Sequence, residues 1–173
     1  VIKFDEMNAL PSNLRKELEC HFGSILKLEA IETIAADQAD KVLFKLRDEE
    51  RVEAVALDFQ GSKRDWRSLC ISTQVGCSLK CSFCATGEIG FKRNMTADEI
   101  ISQVLYFSLL EKSINSISFM GMGEPLLNPN IFSAISSLTN PELFNLSQRR
   151  ISVSTVGIIP SLEKLIKTFP QVN

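Results

Sequence analysis

Nothing in this chain resembles a membrane segment. No apolar run approaches the roughly twenty residues that cross a bilayer, and no basic-then-apolar leader stands at the N-terminus. No membrane partner is therefore expected. Cysteine is sparse: five in 173 residues of ordinary composition, with no secretory signal, do not suggest a disulfide framework. That usage points to the reducing cytoplasm. Neither sign of charge is in excess, since 19 basic against 21 acidic side chains leave a net charge of −2. The global basic footprint of a nucleic-acid binder is missing, so any RNA contact must come from local patches. What remains, 45% hydrophobic and 23% charged residues, is the composition of a soluble globular protein of one domain or slightly more.

Three of the five cysteines stand together, in Gly76-Cys77-Ser78-Leu79-Lys80-Cys81-Ser82-Phe83-Cys84-Ala85-Thr86-Gly87. A short loop with this three-then-two spacing can fold three thiolates toward one metal centre. Closed structural zinc sites and all-cysteine iron–sulfur cubanes both take four ligands. Three from one loop therefore suggest a cluster whose fourth iron is left open for something else. A zinc loop completed by a distant Cys70 or His21 is the alternative on spacing alone.

Ahead of the loop, residues 1 to about 66 read as a small lead-in domain. Ser12 can cap a helix carrying Leu14, Leu18 and Phe22 on one face, and Gly23 is placed to end it. Cys20 and His21 read as ordinary residues of that helix. A second helical stretch is expected over residues 31–39. Strands follow at 42–46 and 51–59, joined by the charged turn Arg47-Asp48-Glu49-Glu50. The polar loop Gln60-Gly61-Ser62-Lys63-Arg64-Asp65 marks the boundary.

From Trp66 the pattern becomes strand, loop, helix, repeated three times, with strands at 68–73, 115–120 and 150–155. The first helix opens on a capping box, Thr96-Ala97-Asp98-Glu99. It continues with Ile100, Ile101, Val104 and Leu105 on one face. The second helix carries Ile131, Phe132, Ile135 and Leu138, and the third Leu162, Leu165, Ile166 and Phe169. Such alternation argues for βαβ units and a parallel sheet. The chain begins at Val1 and stops at Gln171-Val172-Asn173, where the alternation asks for another strand, so both ends are expected to be cut.

Each strand alternates an apolar with a small polar face. Leu69 and Ile71 oppose Ser68, Cys70 and Ser72; Ile117 and Phe119 oppose Ser116, Ser118 and Met120; Ile151 and Val153 oppose Ser152 and Ser154. A parallel sheet buried on both faces reads as continuous Val, Ile and Leu. One polar face instead predicts a curved sheet with helices outside and a partly hydrated concavity inside, a piece of a barrel. Chemistry then collects at the C-terminal ends of the strands. The cysteine loop follows the first strand, Gly121-Met122-Gly123-Glu124-Pro125 the second, and Ser154 ends the third. Glycines there let backbone approach a ligand, and a carboxylate or carbonyl at Glu124 can accept a hydrogen bond from an ammonium group. Ser154 can donate to a carboxylate or ribose, or is a small residue tolerated inside. Cys70 faces the same interior, as a small buried hydrophobe or as a thiol aimed at substrate. Glu53, in a lead-in strand, reads by default as an exposed carboxylate.

The spacing Cys77-x3-Cys81-x2-Cys84 is similar to the signature of radical S-adenosylmethionine (SAM) enzymes, in which SAM chelates the open iron. The resemblance sharpens over Cys70-Ile71-Ser72-Thr73-Gln74, Gly76-Cys77, Cys84-Ala85-Thr86-Gly87 and Gly90-Phe91-Lys92-Arg93-Asn94. It continues through Phe119-Met120-Gly121-Met122-Gly123-Glu124 and Arg149-Arg150-Ile151-Ser152-Val153-Ser154-Thr155. Upstream it extends more weakly, through Leu10-Pro11, Leu14-Arg15 and Arg51-Val52-Glu53. Together these resemble the Cfr/RlmN family of radical SAM ribosomal RNA adenine methyltransferases. Gln103-Val104-Leu105-Tyr106-Phe107, Asn115-Ser116-Ile117-Ser118-Phe119 and Gly157-Ile158-Ile159-Pro160-Ser161 resemble the Cfr branch. Val75 and Pro125-Leu126-Leu127-Asn128 are more similar to RlmN proteins.

The resemblance implies an α/β fold: the first half of a partial (β/α)6 radical SAM barrel, three βα units at 67–173, after a small α+β accessory domain at 1–66. It implies a 4Fe–4S cluster on Cys77, Cys81 and Cys84, and SAM against Gly123, Glu124 and Ser154. The implied substrate is an adenosine of 23S ribosomal RNA in the peptidyl-transferase region. Methylation falls at carbon 8 in the Cfr branch, where it protects from antibiotics, and at carbon 2 in the RlmN branch, where transfer RNA is a further candidate substrate. In the family a methylated cysteine supplies the carbon as a methylene radical, and a second cysteine removes the ring proton. Cys70 matches that second cysteine, and Glu53 a glutamate with a competing role as proton acceptor. An electron donor such as flavodoxin or ferredoxin is implied too. The methyl-carrying cysteine belongs to the family's C-terminal part, in an Ala-Cys-Gly-Gln-Leu motif, so these residues alone are expected to be inactive. Basic groups Lys63, Arg64, Arg67, Lys92, Arg93, Arg149 and Arg150 are candidates for RNA contact or ordinary surface charges. A zinc-stabilised RNA-binding module and an inactive fragment are the readings from other classes.

Overall fold

A computed structural model describes residues 3–61, 65–110 and 113–173. Helix α1 (Ser12–Phe22) ends at Gly23 as its pattern predicts. Three antiparallel strands follow: β1 (Leu28–Ala36), β2 (Ala39–Leu46) and β3 (Arg51–Phe59). Strand β4 (Trp66–Cys70) pairs antiparallel with β3, and β5 (Gln74–Gly76) follows it. The short helix α2 (Thr86–Ile89) leads to β6 (Phe91–Asn94), which pairs with β5 as a separate small hairpin. Then come α3 (Ala97–Leu109), β7 (Ser116–Phe119), α4 (Ile131–Thr139), β8 (Ile151–Val153) and α5 (Ile159–Thr168).

The main sheet runs β1-β2-β3-β4-β7-β8, antiparallel as far as β4 and parallel from β4 through β7 to β8. The three expected βα units are present. The lead-in strands extend the same sheet rather than forming one of their own: β3, before the polar loop expected as a boundary, pairs with β4 after it, and Ser62, Lys63 and Arg64 of that loop lie outside the described residues. On the far edge, the Asn173 backbone bonds to Val153 and Ile151 at 2.8 and 3.0 Å, beside β8 where a further strand was expected.

One expected helix is a strand. Residues 31–39 carry Ile31 and Ile34 three apart, which suits a helix, yet 31–36 belong to β1 and 37–38 form its turn to β2. Pairing with β2 decides the outcome, because it gives every second backbone group a partner that local propensity cannot supply. A register shift between Ala30 and Glu32 lets the strand absorb Ile31. The first parallel strand is also shorter than expected, since the backbone leaves the sheet after Cys70. The β5–β6 hairpin was not foreseen.

The two faces of the sheet differ as the alternation predicts. Phe44, Ala54, Leu69, Ile117, Phe119 and Ile151 are buried under helices α3 and α4. Helix α3 presents Ile100, Val104 and Phe107, and α4 presents Ile131, Ile135 and Leu138. Its capping box forms: Thr96 accepts from the Glu99 N–H at 3.2 Å, and the Glu99 carboxylate accepts from the Thr96 N–H at 2.8 Å. Phe44 on β2 meets the rings of Tyr106 and Phe107 edge-on, at centroid separations of 5.0 and 6.4 Å. That contact ties the lead-in strands to the first barrel helix. The opposite face, with Glu53, Val55, Ser68, Cys70, Ser116, Ser118 and Ser152, stays only partly covered.

Replacing Phe44 by Ala removes a fully buried ring, a change that costs about 3–5 kcal/mol. We expect the loss in one cooperative urea transition, followed by both far-UV circular dichroism and Trp66 fluorescence. Separate transitions would mean that β1–β3 fold independently of the rest.

Candidate active site

Beyond Cys70 the chain leaves β4, and its backbone groups are met partly by other backbone and partly by buried amide side chains. The Ile71 N–H donates to the Ser118 carbonyl and the Ile71 carbonyl accepts from the Gly121 N–H, both at 3.0 Å. Gln103, fully buried on α3, accepts from the Ser72 N–H at 3.0 Å and donates to the Ser72 carbonyl at 2.8 Å. Asn128, equally buried, donates to the carbonyls of Thr73 and Met95 at 2.6 and 2.8 Å. Gln74 donates to Asn94 at 2.7 Å and accepts from the Glu124 N–H at 2.8 Å. The Ser72 hydroxyl donates to the Glu53 carbonyl and accepts from the Met122 N–H. Ser72 therefore lies buried beneath the rim instead of facing the concavity. Sequence reasoning passed over Gln103, Asn128 and Gln74. The usable signal was Gln103, a polar residue on the apolar face of α3 between Ile100 and Phe107.

The cysteine loop is closed at its base. Gly76 has φ +73°, and a Cβ there would stand 1.7 Å from the Gly90 carbonyl oxygen, so only glycine fits. The Cys77 N–H donates to that same carbonyl at 3.1 Å. Within the loop, the Cys84 N–H donates to the Cys81 carbonyl and the Gly87 N–H to the Cys84 carbonyl. Cys77 is buried; Cys81 and Cys84 are half-buried. The Cys84 thiol is held below its ordinary pKa, first by the Thr86 backbone N–H and then by the Thr86 hydroxyl.

Facing the loop, the glycine turn after β7 lies against the 71–74 backbone. The Met122 carbonyl accepts from Thr73 and Gln74 N–H groups at 2.9 and 3.1 Å. At Gly123, φ is +100° and a Cβ would lie 2.5 Å from the Gln74 Cβ. The turn's missing side chains make room for protein as well as for a ligand. Glu124 is 4% exposed, and its carboxylate accepts from Leu126 N–H at 3.0 Å, Thr155 Oγ1 at 2.5 Å and Val156 N–H at 3.0 Å. It binds the turn after β7 to the loop after β8. Ser154 is exposed at the end of β8.

These pieces meet. A cleft of about 280 Å³ is lined on one side by Cys77, Cys81 and Cys84 and on the other by Gly121, Gly123, Glu124 and Ser154. Cys81 and Cys84 also border a second, outward groove, so the loop stands between two open spaces. Among the described residues, no three His, Cys, Asp or Glu side chains converge on a point that would hold a single ion. The remote partners considered for zinc lie elsewhere: Cys70 is on β4, and exposed His21 packs its ring against Phe22 at 5.2 Å. Three thiols spread along one wall, opposite polar backbone, fit a multi-iron cluster with a second ligand between the walls.

The model of the radical SAM superfamily matches residues 71–172, more than half of the chain. The chain belongs to the radical SAM superfamily. Membership implies a 4Fe–4S cluster and SAM, which the donor set of this cleft fits. The chain is 53% identical over 171 residues to the ribosomal RNA large subunit methyltransferase Cfr of Lachnoclostridium phytofermentans, covering 98% of this chain and 49% of that protein. It is 49% identical over 174 residues to the Cfr protein of Staphylococcus aureus, covering 100% and 49%. A crystal structure of a radical SAM methyltransferase from Sphaerobacter thermophilus superposes with a TM-score of 0.87 at 33% identity, over 96% of this chain and 50% of that one. The chain thus spans about half the length of the relatives it matches. The partial radical SAM barrel that the resemblance implied is the fold observed.

The remaining candidates are distributed unevenly. Cys70 is half-buried on the open face, opposite Val55 of β3, and burial raises its thiol pKa, partly offset by the Met120 backbone N–H. Glu53 lies two residues along β3 on that face, paired with Lys41 at 2.7 Å. Of the basic groups, Arg67 is a correction: it is 7% exposed on the helix side, bound to Asp58 and Asp40, and cannot meet RNA. Lys92 pairs with Glu50, while Arg93 pairs with Asp48 and, through both terminal nitrogens, with Glu99. Arg150 stacks over the Trp66 ring at 5.7 Å, and Arg149 is exposed. Lys63 and Arg64 lie outside the described residues.

Replacing Asn128 by Ala removes one of two donors from each of the Thr73 and Met95 carbonyls, which keep the Met95 N–H at 3.1 Å and the Asn130 side chain at 2.9 Å. The cost is about 0.5–1.5 kcal/mol for each lost bond. We expect lower stability in urea titration and, on anaerobic iron–sulfide loading, a lower iron content. A fully stable variant with parental iron would separate the amide clamp from the cysteine loop.

Proposed function

We propose that the whole protein is a radical SAM methyltransferase acting on an adenosine of 23S ribosomal RNA in the peptidyl-transferase region. The observation that carries this reading is the single cleft that Cys77, Cys81 and Cys84 share with Gly123, Glu124 and Ser154. Similarity to proteins named ribosomal RNA large subunit methyltransferase Cfr supports the substrate class. Carbon 8 is the proposed position, after that branch; carbon 2, and transfer RNA as a further substrate, belong to the alternative.

In this reading the three cysteine thiolates hold the cluster. A cluster bound there supplies the electron that cleaves SAM, opening radical chemistry to ring carbons too electron-poor to attack a methyl group directly. The backbone of the glycine turn and Ser154 hold SAM against it. The Glu124 carboxylate, with three protein donors already, chiefly keeps the two rim loops at a fixed separation. Cys70 accepts the ring proton on its sulfur. Glu53 is the weaker candidate for that role, because Lys41 holds its carboxylate and its side chain is 42% exposed. A methyl-carrying cysteine, and an electron donor of the flavodoxin or ferredoxin type, complete the system from outside these residues. The strands of 1–66 act as an accessory part that extends the sheet. Among the described residues no helix is long and apolar enough to cross a membrane.

Anaerobic reconstitution of the full-length protein with iron and sulfide tests the core of the proposal. The expected product is brown protein that forms deoxyadenosine from SAM, with both properties lost in Cys77→Ala, Cys81→Ala and Cys84→Ala. A colourless protein that needs zinc to fold would overturn it in favour of a zinc-stabilised module. Nucleoside mass spectrometry after reaction of the full-length protein with 23S RNA then assigns the position, and a methyl at carbon 2 would overturn the finer statement.

A further inference from the structure

Across the three parallel strands the inner face is arranged in rows. Register places Cys70 directly beside Ser118, and Ser118 directly beside Ser152. Adjacent strands lie about 4.8 Å apart, so paired residues on one face hold their side chains next to each other. On its other flank Cys70 faces Val55, which offers no polar atom. Ser118 is thus the one polar side chain that the sheet places laterally against the Cys70 thiol.

The state of Ser118 makes this neighbourhood informative. Its Oγ is buried and has no hydrogen-bond partner among the described residues. The serines below it differ: the Trp66 indole N–H donates to Ser116 Oγ at 2.9 Å, and Ser116 Oγ bonds to Ser68 Oγ at 2.9 Å. Arg150 covers that Trp66 ring. The floor row is therefore internally satisfied while the row above carries an unused hydroxyl. A buried hydroxyl without a partner costs free energy unless another state of the molecule uses it.

We infer that Ser118 is a positioning residue for Cys70, its hydroxyl donating to the sulfur whenever Cys70 is a thiolate. This rests on the reading of Cys70 as the group that accepts the ring proton. To do so the thiol must first lose its own proton, which leaves by the open side of the sheet to bulk water; Ser118 keeps its proton and only shares it. The need is real, because burial disfavours the thiolate and the Met120 N–H offsets it only in part. Charged groups facing Cys70 are few. On the β3 side Glu53 is neutralised by Lys41, beneath it Arg150 is engaged with Trp66, and at the rim the Glu124 carboxylate accepts from Leu126, Thr155 and Val156. Among the described residues no unengaged cation stands beside Cys70, Arg51 lying four residues along β3 from Val55, so a neutral donor matters more.

Site-resolved alkylation tests this without any turnover. The protein is labelled with iodoacetamide across a pH series, and the Cys70 peptide is quantified by mass spectrometry. Ser118→Ala is expected to raise the pH of half-maximal Cys70 labelling by about one unit, or about ten-fold in rate below the midpoint. Ser118→Thr, which keeps the hydroxyl, should stay close to the parent. Ser152→Ala removes the same atom from the same row, but with β7 between it and Cys70, and should leave the profile unchanged. An unmoved profile in Ser118→Ala, or an equal shift in Ser152→Ala, overturns the inference. Methylation by full-length Cys70→Ala protein would sink the reading of Cys70 alone, and the labelling result would stand apart from it.

Discussion

The hydrogen bonding of the backbone between Ile71 and Gln74 is the constraint on which the site depends. This stretch has left the sheet, lies in the interior and must be satisfied there, because buried peptide groups without partners are costly. Gln103 serves Ser72 and Asn128 serves Thr73, beside backbone partners at Ser118, Gly121, Met122 and Met95, while Gln74 from within the stretch holds the Glu124 N–H. Each amide carries both a donor and an acceptor, so one side chain can serve both backbone groups of one residue, as Gln103 does for Ser72. The result is a rigid seam with the cysteine loop on one side and the glycine turn on the other. This seam and the Glu124 carboxylate tie the two sides of the cleft together through protein contacts.

The sheet divides its labour by face. Apolar residues of every central strand go under α3 and α4, where Phe44, Phe107 and Phe119 fill the interior. The other face bears small polar groups, which neither demand burial nor occupy the space a substrate needs. A floor of Trp66, Ser116 and Ser68, roofed by Arg150, closes the end of this face opposite the cysteine loop. The concavity therefore has one polar mouth, at the C-terminal ends of the parallel strands, which is where βα folds place their chemistry.

Charge is used here mainly for internal ties. Arg93 joins the β2–β3 turn, the hairpin and the start of α3 through Asp48 and Glu99, and Lys92 reaches Glu50 of the same turn. These pairs fasten the lead-in strands to the β5–β6 hairpin that flanks the cysteine loop. Exposed members contribute little individually, but the Glu99 arm is nearly buried, and the same carboxylate caps α3. Of the basic residues that looked available for RNA in the linear chain, Arg67, Lys92 and Arg93 are thus already paired, with Arg67 the clearest case, while Arg149 stays exposed.

Three features were legible in the sequence because their information is local: the cysteine spacing, the capping box of α3 and the apolar–polar alternation of the strands. Each depends on residues within one turn, one loop or one pleat. Residues 31–39 misled, because Ile31 and Ile34 suit a helix face and an edge strand equally, and pairing with a distant segment breaks the tie. Gln103, Asn128 and Gln74 were illegible for a related reason: an amide acquires its meaning from the backbone group it meets 31, 55 or 50 residues away. The sequence by itself determined which thiols share a loop and which strand face is polar, since covalent spacing and the two-residue pleat dictate both. The strand order already placed the loop, the glycine turn and Ser154 at one rim. Only the tertiary structure decided that Glu124 binds that rim together and that buried amides hold the backbone beneath it, because those are contacts between segments that only packing brings together.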